Sequence, residues 1–132
     1  MAFKYYCPKC HSELMSGENL VLAAKAKDGS EGLITLSPVI GDYSVSIPET
    51  LNAKPGELLT IFCPVCHRNL ASSKRINLAM VLARDEKGQE FEIYFSQVMN
   101  EHSTITMMGD HVKLFGEHSN KYQDLFETRQ MF

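Results

Sequence analysis

The chain reads as a mainly β, α+β protein: two β-hairpin repeats related by a pseudo-twofold axis, then a C-terminal helix. Three observations predict this class. Short β-prone runs are punctuated by Asp-Gly-Ser and Pro-Gly turns. A unit of about forty residues occurs twice, too few copies for a solenoid but natural for a pseudosymmetric domain. After Ser119 the apolar spacing changes from period two to helical. The 132 residues are read as one domain, 1–132, with repeats over approximately 3–47 and 59–106 and a C-terminal hairpin and helix over 103–132.

The elements follow in order. Phe3–Tyr6 and Leu58–Phe62 are short strands, each leading into a cysteine pair. Leu20–Lys27, Asp28-Gly29-Ser30 and Leu33–Leu36 read as strand, turn and strand, with glycine supplying a positive φ. Leu78–Arg84, a turn over Asp85–Gly88, and Glu90–Phe95 repeat that pattern. Phe91, Ile93 and Phe95 alternate with Glu92 and Tyr94, which predicts a half-buried strand with the first three inward. Tyr43, Val45 and Ile47 form a further strand ended by Pro48, and Pro55-Gly56 is a turn. Thr104–Met108 and His111–Phe115 pair around Gly109-Asp110. Ser119 caps the terminal helix, whose apolar face is Tyr122, Leu125 and Phe126, with Arg129 near its C-terminal end. This helix is expected to pack on the sheet. Met80, Met99, Met107 and Met108 read as core filler.

The repeat is visible residue by residue. Leu14 and Ser16 answer to Leu70 and Ser72, and Asn19-Leu20 to Asn77-Leu78. Gly29, Glu31, Ile34, Ser37, Val39 and Ser44 answer to Gly88, Glu90, Ile93, Ser96, Val98 and Ser103.

Composition narrows the function. An apolar fraction of 44% is ordinary for a folded domain. A formal charge of −3 argues against a protein whose main task is to grip phosphates. No apolar run is long enough to span a bilayer, and no apolar stretch before Cys7 resembles a secretory signal. A cytoplasmic location is therefore expected, where thiolates persist without forming disulfides.

All four cysteines lie in Cys7-Pro8-Lys9-Cys10-His11 and Cys63-Pro64-Val65-Cys66-His67. At this spacing two thiolates on one tight turn can grip the same ion. One repeat supplies half of a tetrahedral site, and two facing repeats complete it. Cys7, Cys10, Cys63 and Cys66 are the expected ligands of one structural zinc.

Both segments continue as C-P-x-C-H-x-x-L, and over Cys7–Leu14 and Cys63–Leu70 they resemble zinc ribbons and rubredoxin-like knuckles. Those families read C-P-x-C-G followed shortly by an apolar residue. The resemblance implies backbone N–H groups donating to the sulfurs, and a positive φ after the second cysteine. Here His11 and His67 occupy that place, and histidine tolerates this conformation better than most residues. The 52 residues between Cys10 and Cys63 exceed what a minimal ribbon hairpin needs.

Other chemistries compete. Thiolates suit iron as well as zinc, which would make a rubredoxin-like electron carrier. C-x-x-C-H is also the haem-attachment motif, but haem ligation requires export. A thioredoxin-like dithiol belongs in a βαβ pattern, which the chain lacks. His11 and His67 read as turn residues, because four sulfurs already fill zinc. His102, His111 and His118, near Asp110 and Glu117, read as scattered surface histidines with no metalloprotease spacing.

The loops after the two knuckles differ in charge. The first carries Glu13 and Glu18; the second carries His67, Arg68, Lys74 and Arg75. Arg68, Lys74 and Arg75 are a candidate partner surface. No nucleophile motif, phosphate loop or framed carboxylate pair nominates an enzyme. The expected function is a zinc-binding structural or scaffolding module for a protein partner. A nucleic-acid-binding zinc ribbon and an iron carrier are the alternatives. Neither a membrane association nor a definite homo-oligomer is predicted.

Overall fold

Two antiparallel hairpins dominate the architecture. The computed structural model describes residues 4–39, 45–72, 77–99, 101, 103–108 and 111–116. The strands are β1 (Lys4–Tyr6), β2 (Met15–Ser16), β3 (Asn19–Lys25), β4 (Glu31–Leu36), β5 (Val45–Ser46), β6 (Thr60–Phe62), β7 (Leu78–Arg84), β8 (Glu90–Ser96), β9 (Thr104–Met108) and β10 (His111–Phe115). No helix occurs among the described residues. The helix expected after Ser119, with Tyr122, Leu125, Phe126 and Arg129, lies outside them.

The strands form two antiparallel sheets. One has the order β1-β7-β8-β9-β10; the other has β2-β3-β4-β5, with β6 also paired to β3. The strands leading into the knuckles cross over. β1 pairs with β7, Tyr5 facing Ala83, whereas β6 pairs with β3, Ile61 facing Ala24. Each of these pairs sets a large residue against an alanine, so the partner strand leaves room for the ring or branched chain.

The hairpin turns obey simple rules. Gly29 and Gly88 adopt φ of 90° and 81°, in the region glycine enters without a Cβ penalty. The Ala26 N–H donates to Ser30 O at 2.9 Å, and the Asp85 N–H donates to Gln89 O at 3.1 Å. Lys25–Glu31 and Arg84–Glu90 are ion pairs of 3.7 and 3.1 Å across the two hairpins. Both are exposed, so each contributes at most about 1 kcal/mol. The Arg84 guanidinium also lies 4.6 Å from the centre of the Tyr6 ring.

Period-two alternation fills one core between the sheets. Leu20, Leu22 and Ala24 of β3 meet Ala79, Val81 and Ala83 of β7, with Ile34, Ile61, Phe91 and Ile93 around them. Phe91 and Ile93 are buried and Phe95 packs against them, as their alternation predicts. Tyr94, on the opposite face of β8, is buried too. It joins Leu78, Ile105 and Met107 in a second cluster against which Met80 and Val112 pack. The half-buried strand read from the sequence is therefore covered on both faces. Of the methionines expected as filler, Met108 is instead exposed.

The expected hairpin of Thr104–Met108 with His111–Phe115 forms, Ile105 facing Leu114. The expected strand through Tyr43, Val45 and Ile47 is paired only at Val45–Ser46, and Tyr43 lies outside the described residues. No helix in the described residues is long and apolar enough to cross a membrane.

Candidate metal centre

The two knuckles are held by the same hydrogen bonds. The Cys7 N–H donates to Ser12 O at 3.0 Å, and the His11 N–H donates to Cys7 O at 2.9 Å. In the second knuckle the Cys63 N–H donates to Arg68 O at 3.0 Å, and the His67 N–H to Cys63 O at 2.9 Å. Leu14 and Leu70, the apolar residues that follow, are both buried and anchor each turn to the core. Their N–H groups donate to Tyr5 O and Ile61 O, so the strand before each knuckle is tied to the segment after it.

Each turn presents N–H groups to its first cysteine. Lys9 N and Cys10 N lie 3.3 and 3.4 Å from Cys7 Sγ. Val65 N and Cys66 N lie 3.3 and 3.4 Å from Cys63 Sγ. Such donors stabilise a thiolate. His11 and His67 both adopt φ 63°, which lets the chain leave the turn. Both histidines are exposed. The His67 ring lies 6.2 Å from that of Phe62.

The cross-paired strands bring the knuckles together. All four Sγ atoms lie within 4.8 Å of one another, and the group could hold a metal ion. Cys7 Sγ is 3.8 Å from Cys66 Sγ, and Cys10 Sγ is 3.8 Å from Cys63 Sγ. A tetrahedron with metal–sulfur bonds of about 2.3 Å has edges of about 3.8 Å, so these contacts fit a four-thiolate ion. They are far longer than the roughly 2.0 Å of a disulfide. Each knuckle supplies one fully buried sulfur, from Cys7 or Cys63, and one half-buried, from Cys10 or Cys66. Each short contact joins a buried sulfur of one knuckle to a half-buried sulfur of the other.

The sulfurs differ in proton affinity. As a free thiol, Cys63 is pushed up to about 12 by burial, which outweighs its backbone N–H donors. Cys10 is pulled down to about 6 by hydrogen bonding to Ser12, side chain first and backbone next. Ser12 is a residue that sequence reasoning passed over; its only signal was a hydroxyl two places after the second cysteine.

Of the other expected site residues, Arg68 is exposed beside the second knuckle, while Lys74 and Arg75 lie outside the described residues. His102 and His118 lie outside them as well, and His111 is placed on β10 by its backbone. Comparison with protein-family models, curated proteins and solved structures finds no match for the chain.

Proposed function

We propose that the protein is a β scaffold stapled by one structural zinc at Cys7, Cys10, Cys63 and Cys66. The observation that carries this reading is the sulfur tetrad: four donors from two turns, with 3.8 Å contacts between the turns. Four thiolates complete zinc's coordination and leave no position for a substrate. Zinc is the reading preferred for a structural staple; rubredoxin-like knuckles share the C-P-x-C pattern and thiolates suit iron too, so metal analysis separates the two. The matched hydrogen bonds of the two knuckles and the two hairpin turns support a duplicated unit with pseudo-twofold symmetry. The purified protein should contain one zinc per chain and be colourless. Cobalt exchange should give the visible bands of a tetrahedral thiolate complex. Iron with ferric-thiolate colour would replace the staple by an electron carrier.

The remaining task is protein binding in a reducing cytoplasm. Val65, at the tip of the second knuckle, is 57% exposed, and His67 and Arg68 beside it are also exposed. An apolar tip beside a single exposed arginine suits a protein surface better than a phosphate backbone. A partner held by the wild type should be lost in a Val65→Asp, Arg68→Glu variant that still binds zinc. RNA or DNA should bind negligibly at physiological salt. Tight binding abolished in an Arg68→Ala, Lys74→Ala, Arg75→Ala variant would put nucleic acid first.

A further inference from the structure

Between the two sheets lies a cavity of about 140 Å³ that none of the cysteines lines. Its walls are Leu20 and Ile34 from one sheet, Val81, Ile93 and Phe95 from the other, and Gln97 just beyond β8. The volume is close to that of an engineered apolar cavity of about 150 Å³ that takes up benzene. This one differs in carrying a polar anchor.

Gln97 is 7% exposed. Its backbone N–H donates to Asn77 O at 2.9 Å, and its backbone oxygen accepts from the Leu59 N–H at 2.9 Å. Its side-chain nitrogen donates to Leu59 O at 3.2 Å. That bond fixes the amide's orientation, because the side-chain oxygen cannot face another carbonyl. The oxygen accepts no hydrogen bond among the described residues. Gln97 is a buried residue that lines the cavity, so this acceptor is offered to whatever occupies it. The Tyr5 hydroxyl, also in the wall, is committed to Pro38 O at 2.7 Å and does not serve it. Glu101 is the one charged side chain among the described lining residues, which disfavours anionic ligands.

We propose that this cavity binds a small, uncharged, single-ring molecule bearing one hydrogen-bond donor, its O–H or N–H given to Gln97 Oε1 and its ring held by Ile34, Val81, Ile93 and Phe95. The volume has room for about one aromatic ring, the wall asks for apolar surface, and the anchor asks for a donor. The site is independent of the metal centre.

The test uses the full-length, zinc-loaded protein and two probes of nearly equal size, phenol and toluene, titrated by NMR. Phenol is expected to shift the Gln97 side-chain amide and the backbone signals of Ile93 and Phe95, and to bind at least fivefold more tightly than toluene. In Gln97→Met the preference should vanish while toluene still binds. If the variant does not fold, the two probes on the wild type decide alone. No shifts at millimolar probe, or equal affinity for both, would overturn the proposal and leave the cavity to water. Zinc content measured on the same samples reads the metal centre separately.

Discussion

Cys63 and Cys10 mark the two extremes of the site. Cys63 is fully buried and holds its proton up to about pH 12 as a free thiol; Cys10, beside Ser12, releases it near pH 6. A metal needs thiolates, so binding at neutral pH expels the Cys63 proton. Below the raised pKa each unit of acidification therefore weakens binding. From this residue alone, affinity should fall about tenfold between pH 7.5 and 6.5. A competition titration against a chelator at the two pH values measures it; equal affinities would contradict the buried thiol. Cys63→Ser should take zinc content from one per chain to none and lower the melting midpoint by about 10 °C or more. His11→Ala and His67→Ala should keep the zinc, since neither imidazole is needed by four sulfurs. His11→Val should cost about 1–2 kcal/mol, because a β-branched residue resists φ 63°; urea unfolding would show it. At this scale the sequence was most readable. Cysteine spacing points to a candidate metal site without any fold, whereas the role of Ser12 depends on how the turn bends back.

Among the elements, both hairpins were legible because alternation and the turns at Asp28-Gly29 and Asp85–Gly88 are local signals. Leu78–Arg84 matches its strand residue for residue. The crossing of β1 onto β7 and of β6 onto β3 was not legible, since no local pattern says which distant edge a three-residue strand will choose. Nor did the sequence disclose the second buried face at Tyr94, where a polar hydroxyl and period two both pointed outward. The match of Asn19-Leu20 to Asn77-Leu78 slips by one place in the sheets. Leu20 faces Leu36 and Ala79 faces Phe95, so the hairpins correspond through Leu20 and Ala79. Gly32 tests the packing of an element directly. A Cβ there would stand 2.5 Å from Pro48 Cγ and 2.9 Å from Thr50 Oγ1. Gly32→Ala should force the 48–51 segment off β4 and cost about 1–3 kcal/mol. An unchanged denaturant midpoint would mean that this segment gives way freely.

For the whole molecule, a metal at the four sulfurs would join two sheets that already share one core. Chelation should therefore loosen both together. Amide exchange measured before and after metal removal should show β3 and β7 losing protection in step, since each borders a strand that enters a knuckle. Loss confined to one sheet would show that the other stands without the ion. The formal charge at this scale is modest: a net −3 gives the chain no overall attraction for a polyanion.

The exchange of β1 and β6 also sets a timetable for synthesis. Residues 4–6 find their neighbours only at 82–84, so β1, once made, must wait until β7 has left the ribosome. Until residues 60–66 emerge, Cys7 and Cys10 have no second pair of sulfurs, and the β3 edge lacks β6. A second chain that has already made β6 and β7 can offer those strands to the β3 and β1 edges of the unfinished one. Slow translation or zinc scarcity should therefore raise the yield of intertwined dimers, because the non-local closure that completes one chain competes with the same closure between two.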